Sequence, residues 1–298
     1  MDASLDRRRV LAAGLGLAAG AASRPVRPDA EPVMPKRAAH SSRQPVLFLG
    51  HGSPMNAIED NRWSRAFRAL GRELARPRAI LSVSAHWYVR GTFVTVQVRP
   101  ETIHDFGGFP DELFRVEYPA PGAPELAERV RALVGAEVVR PSTDLGLDHG
   151  TWSVLVHLFP AADVPVVQLA LDSSLAPARH LELARRLAPL AEEGVLVLGS
   201  GNAVHNLRDA FARMGAGDER VPEWAAAFDG EVRRASTEHD GAFLARALES
   251  PAGRASHPTP DHYLPLLYAL GAAAPDAPVS FPIEGFDHSL SMRSVRFG

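Results

Sequence analysis

Three short apolar runs, each followed by a turn that carries a histidine, constrain the fold of this chain most strongly. His51, His86 and His205 follow the runs at 45–49, 79–83 and 194–198. Apolar runs of this length are typical of strands that are buried on both faces of a sheet. Ligand sites of open α/β sheets lie outside the carboxyl ends of the strands, so several imidazoles at that edge predict a metal centre.

Segments with apolar residues at helical spacing separate these runs. They cover residues 61–75, 123–134, 149–159, 178–192, 224–248 and 262–270, whereas 92–98 and 164–171 are typical of further strands. Asp148 lies where an N-cap is expected for the helix at 149–159. Strands that alternate with helices in this way predict a mostly parallel sheet that is covered by helices on both faces.

The composition excludes several classes of partner and of site. Of the 298 residues, 46% are hydrophobic, which suffices for a substantial core, and the formal net charge is −3. A chain without a basic field is not expected to bind nucleic acid. The sequence has 12 histidines and no cysteine, so a metal site here must use nitrogen and oxygen ligands.

The N-terminus is typical of an export signal. Residues 1–22 contain paired arginines, Arg7 and Arg8, ahead of an apolar stretch that is too short to span a bilayer. We expect a twin-arginine route to the periplasm and no stable membrane anchor in the mature form. A disordered basic tail is the alternative. Residues 23–44 are rich in Pro and Arg and are expected to be a disordered linker, which leaves 45–298 as the folded domain.

Four further segments carry residues with chemical potential. His149 is expected at a helix N-terminus, where it could donate a hydrogen bond to a bound oxygen species or belong to the cap. His205 follows a Gly-x-Gly turn that lacks the third glycine of a dinucleotide fingerprint, and it offers a base or a ligand. His262 opens the last helix beside Asp261, and His257 is expected to be a solvated loop residue. The aromatic loop at 105–110 is suited to covering a planar substrate.

Seven motifs that occur in order resemble one known family. They are Gly-His-Gly-Ser-Pro at 50–54, Ser-Ala-His-Trp at 84–87, Asp-Phe-Gly-Gly-Phe-Pro at 105–110, Asp-His-Gly-Thr-Trp at 148–152, Val-His-Asn at 204–206, His-Pro-Thr-Pro-Asp-His-Tyr at 257–263 and Ser-Met-Arg at 291–293. The chain resembles the DODA-type (4,5-DOPA) extradiol aromatic-ring-opening dioxygenases, which belong to the class III, protocatechuate 4,5-dioxygenase superfamily. The resemblance covers roughly residues 45–298.

The resemblance implies a three-layer α/β/α fold with a non-haem metal site at the carboxyl ends of the strands. It implies that His51, His86 and His262 hold the metal, with His205 as catalytic base or fourth ligand. It also implies that His149 helps to bind the substrate or oxygen. The wider superfamily uses two histidines and one glutamate on Fe(II), whereas this chain offers Asp261 and His262, so the third ligand is open. An all-histidine site would also suit Zn(II).

The activity implied by the resemblance is extradiol cleavage of a catechol, similar to DOPA, by O₂. Fe(II) is expected for catalysis, with Zn(II) plausible as the bound metal, and the expected partners are a small aromatic diol and O₂. Two alternatives remain: a zinc-dependent hydrolase of the same fold, with metal-bound hydroxide as nucleophile, and a periplasmic metal-binding protein. The sequence contains no signal for an oligomeric state.

Overall fold

The computed structural model describes residues 43–298 and contains twelve strands. The strands are β1 (Val46–Gly50), β2 (Ala79–Ser84), β3 (Tyr88–Val89), β4 (Thr92–Thr95), β5 (Val139–Ser142), β6 (Val166–Gln168), β7 (Leu171–Asp172), β8 (Val195–Gly201), β9 (Val279–Ile283), β10 (Phe286–Asp287), β11 (Leu290–Ser291) and β12 (Ser294–Phe297). The predicted signal segment, residues 1–22, and most of the predicted linker lie outside the described residues.

Ten α-helices within the described residues cover or border the strands. They are α1 (Arg62–Glu73), α2 (Pro124–Val134), α3 (His149–Leu158), α4 (Pro177–Arg185), α5 (Pro189–Glu192), α6 (Leu207–Ala216), α7 (Glu223–Thr237), α8 (Gly241–Leu244), α9 (Pro251–Ser256) and α10 (Leu264–Ala272). Short 3-10 turns lie at Pro54–Ala57, Leu113–Arg115 and Ala247–Glu249. Among the helices of residues 43–298, none combines the length and the apolar character that crossing a bilayer requires.

The central sheet has the strand order β6-β2-β8-β1-β12-β9. Its first four strands run parallel to one another, whereas β12 pairs antiparallel with β1 and β9 pairs antiparallel with β12. The prediction of a mostly parallel sheet is therefore confirmed. Because β2, β8 and β1 are parallel neighbours, their carboxyl ends meet at one edge of the sheet.

Successive side chains of each strand point to opposite faces of the central sheet, and each face has its own hydrophobic core. In β1, Val46 and Phe48 belong to one buried cluster, and Leu47 and Leu49 belong to the other. Helices α2, α4, α7 and α10 contribute to the first cluster, and α1 and α3 contribute to the second. This is the three-layer α/β/α arrangement that the resemblance implies.

Two of the predicted helices are shorter than their apolar periodicity indicates. The segment predicted at 178–192 is divided into α4 and α5 by Pro189, which has no backbone N–H to continue the first helix. The segment predicted at 224–248 ends α7 at Thr237, and His239 then adopts a left-handed φ of 52° that no helix continues through. Similarly, the strand predicted at 164–171 is divided, because the chain leaves the central sheet after β6 and pairs with β3.

Candidate active site

The carboxyl edge of the sheet gathers five histidines from five different segments. His51 follows β1 directly, His86 comes two residues after β2, and His205 comes four residues after β8. His149 is the first residue of α3, and His262 lies just before α10. The Asp148 side chain accepts a hydrogen bond from the Thr151 N–H, which confirms it as the N-cap that begins α3 at His149.

The imidazole rings lie close enough to share one ion. The Nε2 atoms of His51 and His86 are 3.3 Å apart, and the ring centroid of His262 lies 5.2 Å from that of His51 and 4.9 Å from that of His86. One ring nitrogen each from His51, His86 and His149 also lies within 4.8 Å of the others. By ring centroid, His149 lies closer to His86 than His262 does, at 3.7 against 4.9 Å, and farther from His51, at 6.0 against 5.2 Å.

Four of these rings have an oxygen next to Nδ1. His51 Nδ1 lies 2.9 Å from Ser200 Oγ, and the Ser200 hydroxyl donates its own proton to the Gly150 carbonyl. Ser200 therefore accepts a hydrogen bond from His51 Nδ1–H, which leaves Nε2 of His51 with a free lone pair. His262 Nδ1 hydrogen-bonds to Asp261 in the same manner.

The Asp105 carboxylate lies next to the Nδ1 atoms of both His86 and His149. Its Oδ2 atom lies 3.4 Å from His86 Nδ1, and its Oδ1 atom lies 3.0 Å from His149 Nδ1 and accepts the His149 backbone N–H at 2.8 Å. Burial alone would raise the pKa of Asp105, but the hydrogen bonds from His149 outweigh it and lower the pKa. A carboxylate that orients two imidazoles is a common arrangement behind metal-binding histidines.

The residues present fit a metal ion. Burial, and secondly the neighbouring histidines, lower the pKa of His51 and of His262 well below the ordinary value, so both rings are neutral donors. A separation of 3.3 Å between two Nε2 atoms matches two nitrogens that bind one ion at about 2.0–2.1 Å with a near-tetrahedral angle. Without a cation between them, two lone pairs would face each other at that distance.

His205 differs from the other four histidines in its surroundings. Its ring stacks on His262 with a centroid separation of 3.4 Å and an angle of 4° between the planes. Burial, and secondly the charge of His257, lower the pKa of His205 to about 4. Among residues 43–298, no group hydrogen-bonds to the His205 ring, which borders the open side of the cluster.

A cavity of about 700 Å³ opens above the histidines. The aromatic loop predicted to cover a planar substrate lines it through Phe106 and Phe109, and the Phe106 ring meets His149 edge-on at 5.3 Å. Trp63 and one face of α6 line other parts of the wall. A cavity of this size is within the range of small-molecule sites, with the nitrogen donors at its floor.

Comparisons with known proteins agree with this geometry. The family described as the catalytic LigB subunit of aromatic ring-opening dioxygenase matches residues 45–295. A curated relative from Escherichia coli (strain K12), named "4,5-DOPA dioxygenase extradiol", is 48% identical over 87% of this chain and 96% of its own length. A protein of the same name from Beta vulgaris is 39% identical over 85% of this chain and 96% of its own length.

The chain belongs to the LigB family. It is a metal-dependent, extradiol ring-cleaving dioxygenase, and nothing supports the hydrolase or the metal-carrier alternative. A crystal structure of an uncharacterized protein from Escherichia coli K12 shares the fold with a TM-score of 0.75 and 44% identity, covering 86% of this chain and 100% of that chain.

The LigB-family site contains two residues whose roles the sequence did not reveal. Ser200 lies near the carboxyl end of β8, between two glycines, and the sequence gave no signal for its role beyond that glycine-rich spacing. His257, which we predicted to be a solvated loop residue, is 5% exposed and donates Nε2–H to the Ala203 carbonyl beneath the site. That prediction was wrong because the turn between α9 and α10 folds inward and packs this ring against Tyr263.

Proposed function

We propose that this LigB-family dioxygenase cleaves a DOPA-like catechol at a metal held by His51, His86 and His262. The ligand set is supported by the Nδ1 side of these three rings, where Ser200, Asp105 and Asp261 lie. His262 is preferred to His149 as the third ligand because its ring centroid lies nearer to that of His51, at 5.2 rather than 6.0 Å. Each oxygen orients its imidazole so that Nε2 faces the common space. The names of the relatives from Escherichia coli and Beta vulgaris support DOPA as the type of substrate.

The donor set is compatible with Fe(II), which we propose as the catalytic metal, and with Zn(II) as a bound metal. When bound, Fe(II) supplies open positions for the two catechol oxygens and for O₂, together with the path by which ring electrons reach O₂. Three neutral imidazoles at the floor of the cavity would hold the ion and leave room for the substrate and O₂ above it. His149, the first residue of α3, has Nδ1 3.0 Å from Asp105, so its Nε2 would accept a hydrogen bond from a hydroxyl of the bound substrate.

We propose that His205 acts as the base that accepts a proton from a catechol hydroxyl. Its ring nitrogens have no partner among the described residues, and its ring lines the cavity. A neutral imidazole in that position can accept a proton at Nδ1 or Nε2. Phe106 and Phe109 would cover the face of the substrate ring and limit the access of water.

A metal-resolved activity screen tests this function. Protein that has been stripped of metal is loaded anaerobically with Fe(II) or with Zn(II), mixed with a catechol and then exposed to O₂. We expect stoichiometric O₂ uptake and a ring-opened product with iron alone. Product formation without O₂ uptake, or equal rates with zinc, would refute the assignment.

We also propose that the protein is exported to the periplasm through the paired arginines of its N-terminus. The family match begins at residue 45, so the 44 preceding residues are available for targeting and as a linker. A twin-arginine route carries folded proteins, which would allow the metal to be bound before export.

A further inference from the structure

The cavity is far larger than the catechol ring that the histidines would bind. It has about 700 Å³, and the histidines occupy only its floor. If a catechol is the substrate, as proposed above, most of the wall therefore faces the ring substituent. The chemistry of that wall decides which substituents the enzyme accepts.

One part of the wall is the exposed apolar face of α6. Leu207, Phe211 and Met214 lie at helical spacing on one side of the helix and line the cavity, with 43%, 62% and 54% of their surfaces exposed. Exposed large apolar side chains that cluster in this way usually mark a binding surface. Because they line the same cavity as the histidines, they are placed to contact the substituent of a bound catechol.

The charged part of the wall is acidic. Among the described residues that line the cavity, the carboxylates are Glu59, Asp105 and Asp287, and there is no lysine or arginine. Asp105 lies beside His86 and His149, and Asp287 pairs with His288. Glu59 is exposed, and among the described residues it contacts the neutral Asn61 amide and no arginine or lysine.

The three arginines that follow Glu59 in the sequence do not supply the missing cation, and Arg208, next to Leu207, does not line the cavity. Arg65 and Arg68 both bind Asp60, and Arg62 lies over the Trp63 ring at 4.0 Å and donates to the Glu284 carbonyl. A carboxylate on the substituent would therefore lose water in the cavity without gaining an ionic partner. An ammonium group would meet Glu59, and an apolar chain would meet α6.

We infer that the cavity accepts catechols whose substituent is apolar or ends in an ammonium group, and that it discriminates against those whose substituent ends in a carboxylate. For a zwitterionic substituent such as that of DOPA, the ammonium group is the part that is recognised. Leu207, Phe211, Met214 and Glu59 are the specificity-determining residues.

Three catechols that differ in one group test this inference. Each carries, para to one hydroxyl, a propyl, an aminoethyl or a carboxyethyl group. We expect kcat/KM of the iron-loaded enzyme to be at least about fivefold lower for the carboxyethyl compound than for the other two, as partly exposed charges would give. Anaerobic calorimetry with the same compounds should give the same order of binding affinity.

Charge variants on α6 and at the rim sharpen the test. Met214→Lys places a cation on the cavity wall, and the ratio of carboxyethyl to propyl kcat/KM should rise about fivefold. Ala212→Lys adds the same charge to the same helix on an exposed position outside the lining, and it should leave that ratio unchanged. Glu59→Gln should lower the ratio of aminoethyl to propyl, whereas Glu73→Gln, at the end of α1, should not.

The outcomes separate this inference from the proposed function. If all three compounds are cleaved and bound equally well, the selectivity is refuted and the dioxygenase assignment stands. If none is cleaved under iron and O₂, the proposed substrate class fails, and the binding order still decides the selectivity of the cavity. An equal response to Met214→Lys and Ala212→Lys would refute the role of the α6 face.

Discussion

The imidazole planes of His205 and His262 are parallel within 4°, and their centroids are 3.4 Å apart. A metal binds an imidazole in the plane of the ring, along the nitrogen lone pair. An ion held in the plane of one of these rings would therefore be well out of the plane of the other, so the two rings are not expected to bind the same ion. The hydrogen bond between His262 Nδ1 and Asp261 favours His262 as the ligand and leaves His205 to act on the substrate.

We predict that His205→Ala lowers turnover while the metal content stays near that of the wild type. Loss of a general base typically costs about 10²–10⁴-fold in rate. The measurement is single-turnover ring opening and metal analysis on the same sample. Loss of metal in proportion to the loss of activity, with partial recovery in excess Fe(II), would instead make His205 a ligand.

Two comparisons make that result interpretable. His51→Ala should remove the metal, because Nε2 of His51 has its lone pair at the common space. His180→Gln changes a buried histidine in α4 that is remote from the site, and it should keep both metal and turnover. Full metal occupancy in His51→Ala would contradict the ligand assignment.

The side-chain oxygens of Ser200 and Asp261, which contact Nδ1 of His51 and His262, should affect the affinity for metal almost as strongly as the ligands do. We predict that Ser200→Ala and Asp261→Asn each weaken metal binding by about 10–100-fold, because the supported imidazole loses its fixed tautomer and orientation. Competition with a chelator measures the affinity. Ser236→Ala is the matched control, since Ser236 is a buried serine of α7 with no hydrogen-bond partner in the described structure. Equal affinities for the three variants would argue against the role of Ser200 and Asp261.

The sequence predicted the edge of the sheet at which the site lies, because that inference needs only parallel strands and the residues that follow them. His51 and His86 are the clearest examples, one at the end of β1 and one just after β2. The antiparallel strands β9 and β12 were not predicted. β9 contains Pro282, which argues against a strand in a sequence pattern. β12 pairs with β1 from the far end of the chain, and β9 pairs with β12, so both depend on a contact that local patterns do not reveal.

The relation between His149 and Asp105 could not be read from the sequence. Asp105 was visible only as part of an aromatic loop, and nothing in its spacing places it between two imidazoles. The structure brings it there because the loop crosses the N-terminus of α3, where the His149 N–H donates to it. Side-chain contacts of this kind depend on the path of a loop, which local patterns do not determine.

Export gives a prediction that is independent of catalysis. Changing Arg7 and Arg8 to Lys should hold the protein in the cytoplasm, because a twin-arginine signal requires both guanidinium groups. Cell fractionation followed by immunodetection measures the distribution. The same change at Arg24 and Arg27, in the predicted linker, should leave export intact. A wild-type protein that stays in the cytoplasm would refute the export proposal.

The decrease in the free energy of unfolding at acid pH should depend in part on the buried His180. Its ring is fully buried, with Nδ1 3.2 Å from the Tyr268 hydroxyl, and burial lowers its pKa from 6.5 to about 4. Between pH 6.5 and about 4, His180 is therefore protonated in the unfolded chain but stays neutral in the folded chain. The stability contribution is complete above pH 6.5 and is lost as the pH falls toward 4, by up to about 1.4 kcal/mol per pH unit.

We predict that His180→Gln flattens the dependence of unfolding free energy on pH by about that slope, since glutamine does not titrate. Urea unfolding of the metal-free protein at several pH values between 4 and 7 measures it. The other buried histidines are common to both proteins, so the difference isolates His180. Leu181→Val, a neighbouring core substitution, should lower stability equally at each pH. Parallel curves for wild type and His180→Gln would show that the folded protein binds the proton as readily as the unfolded chain.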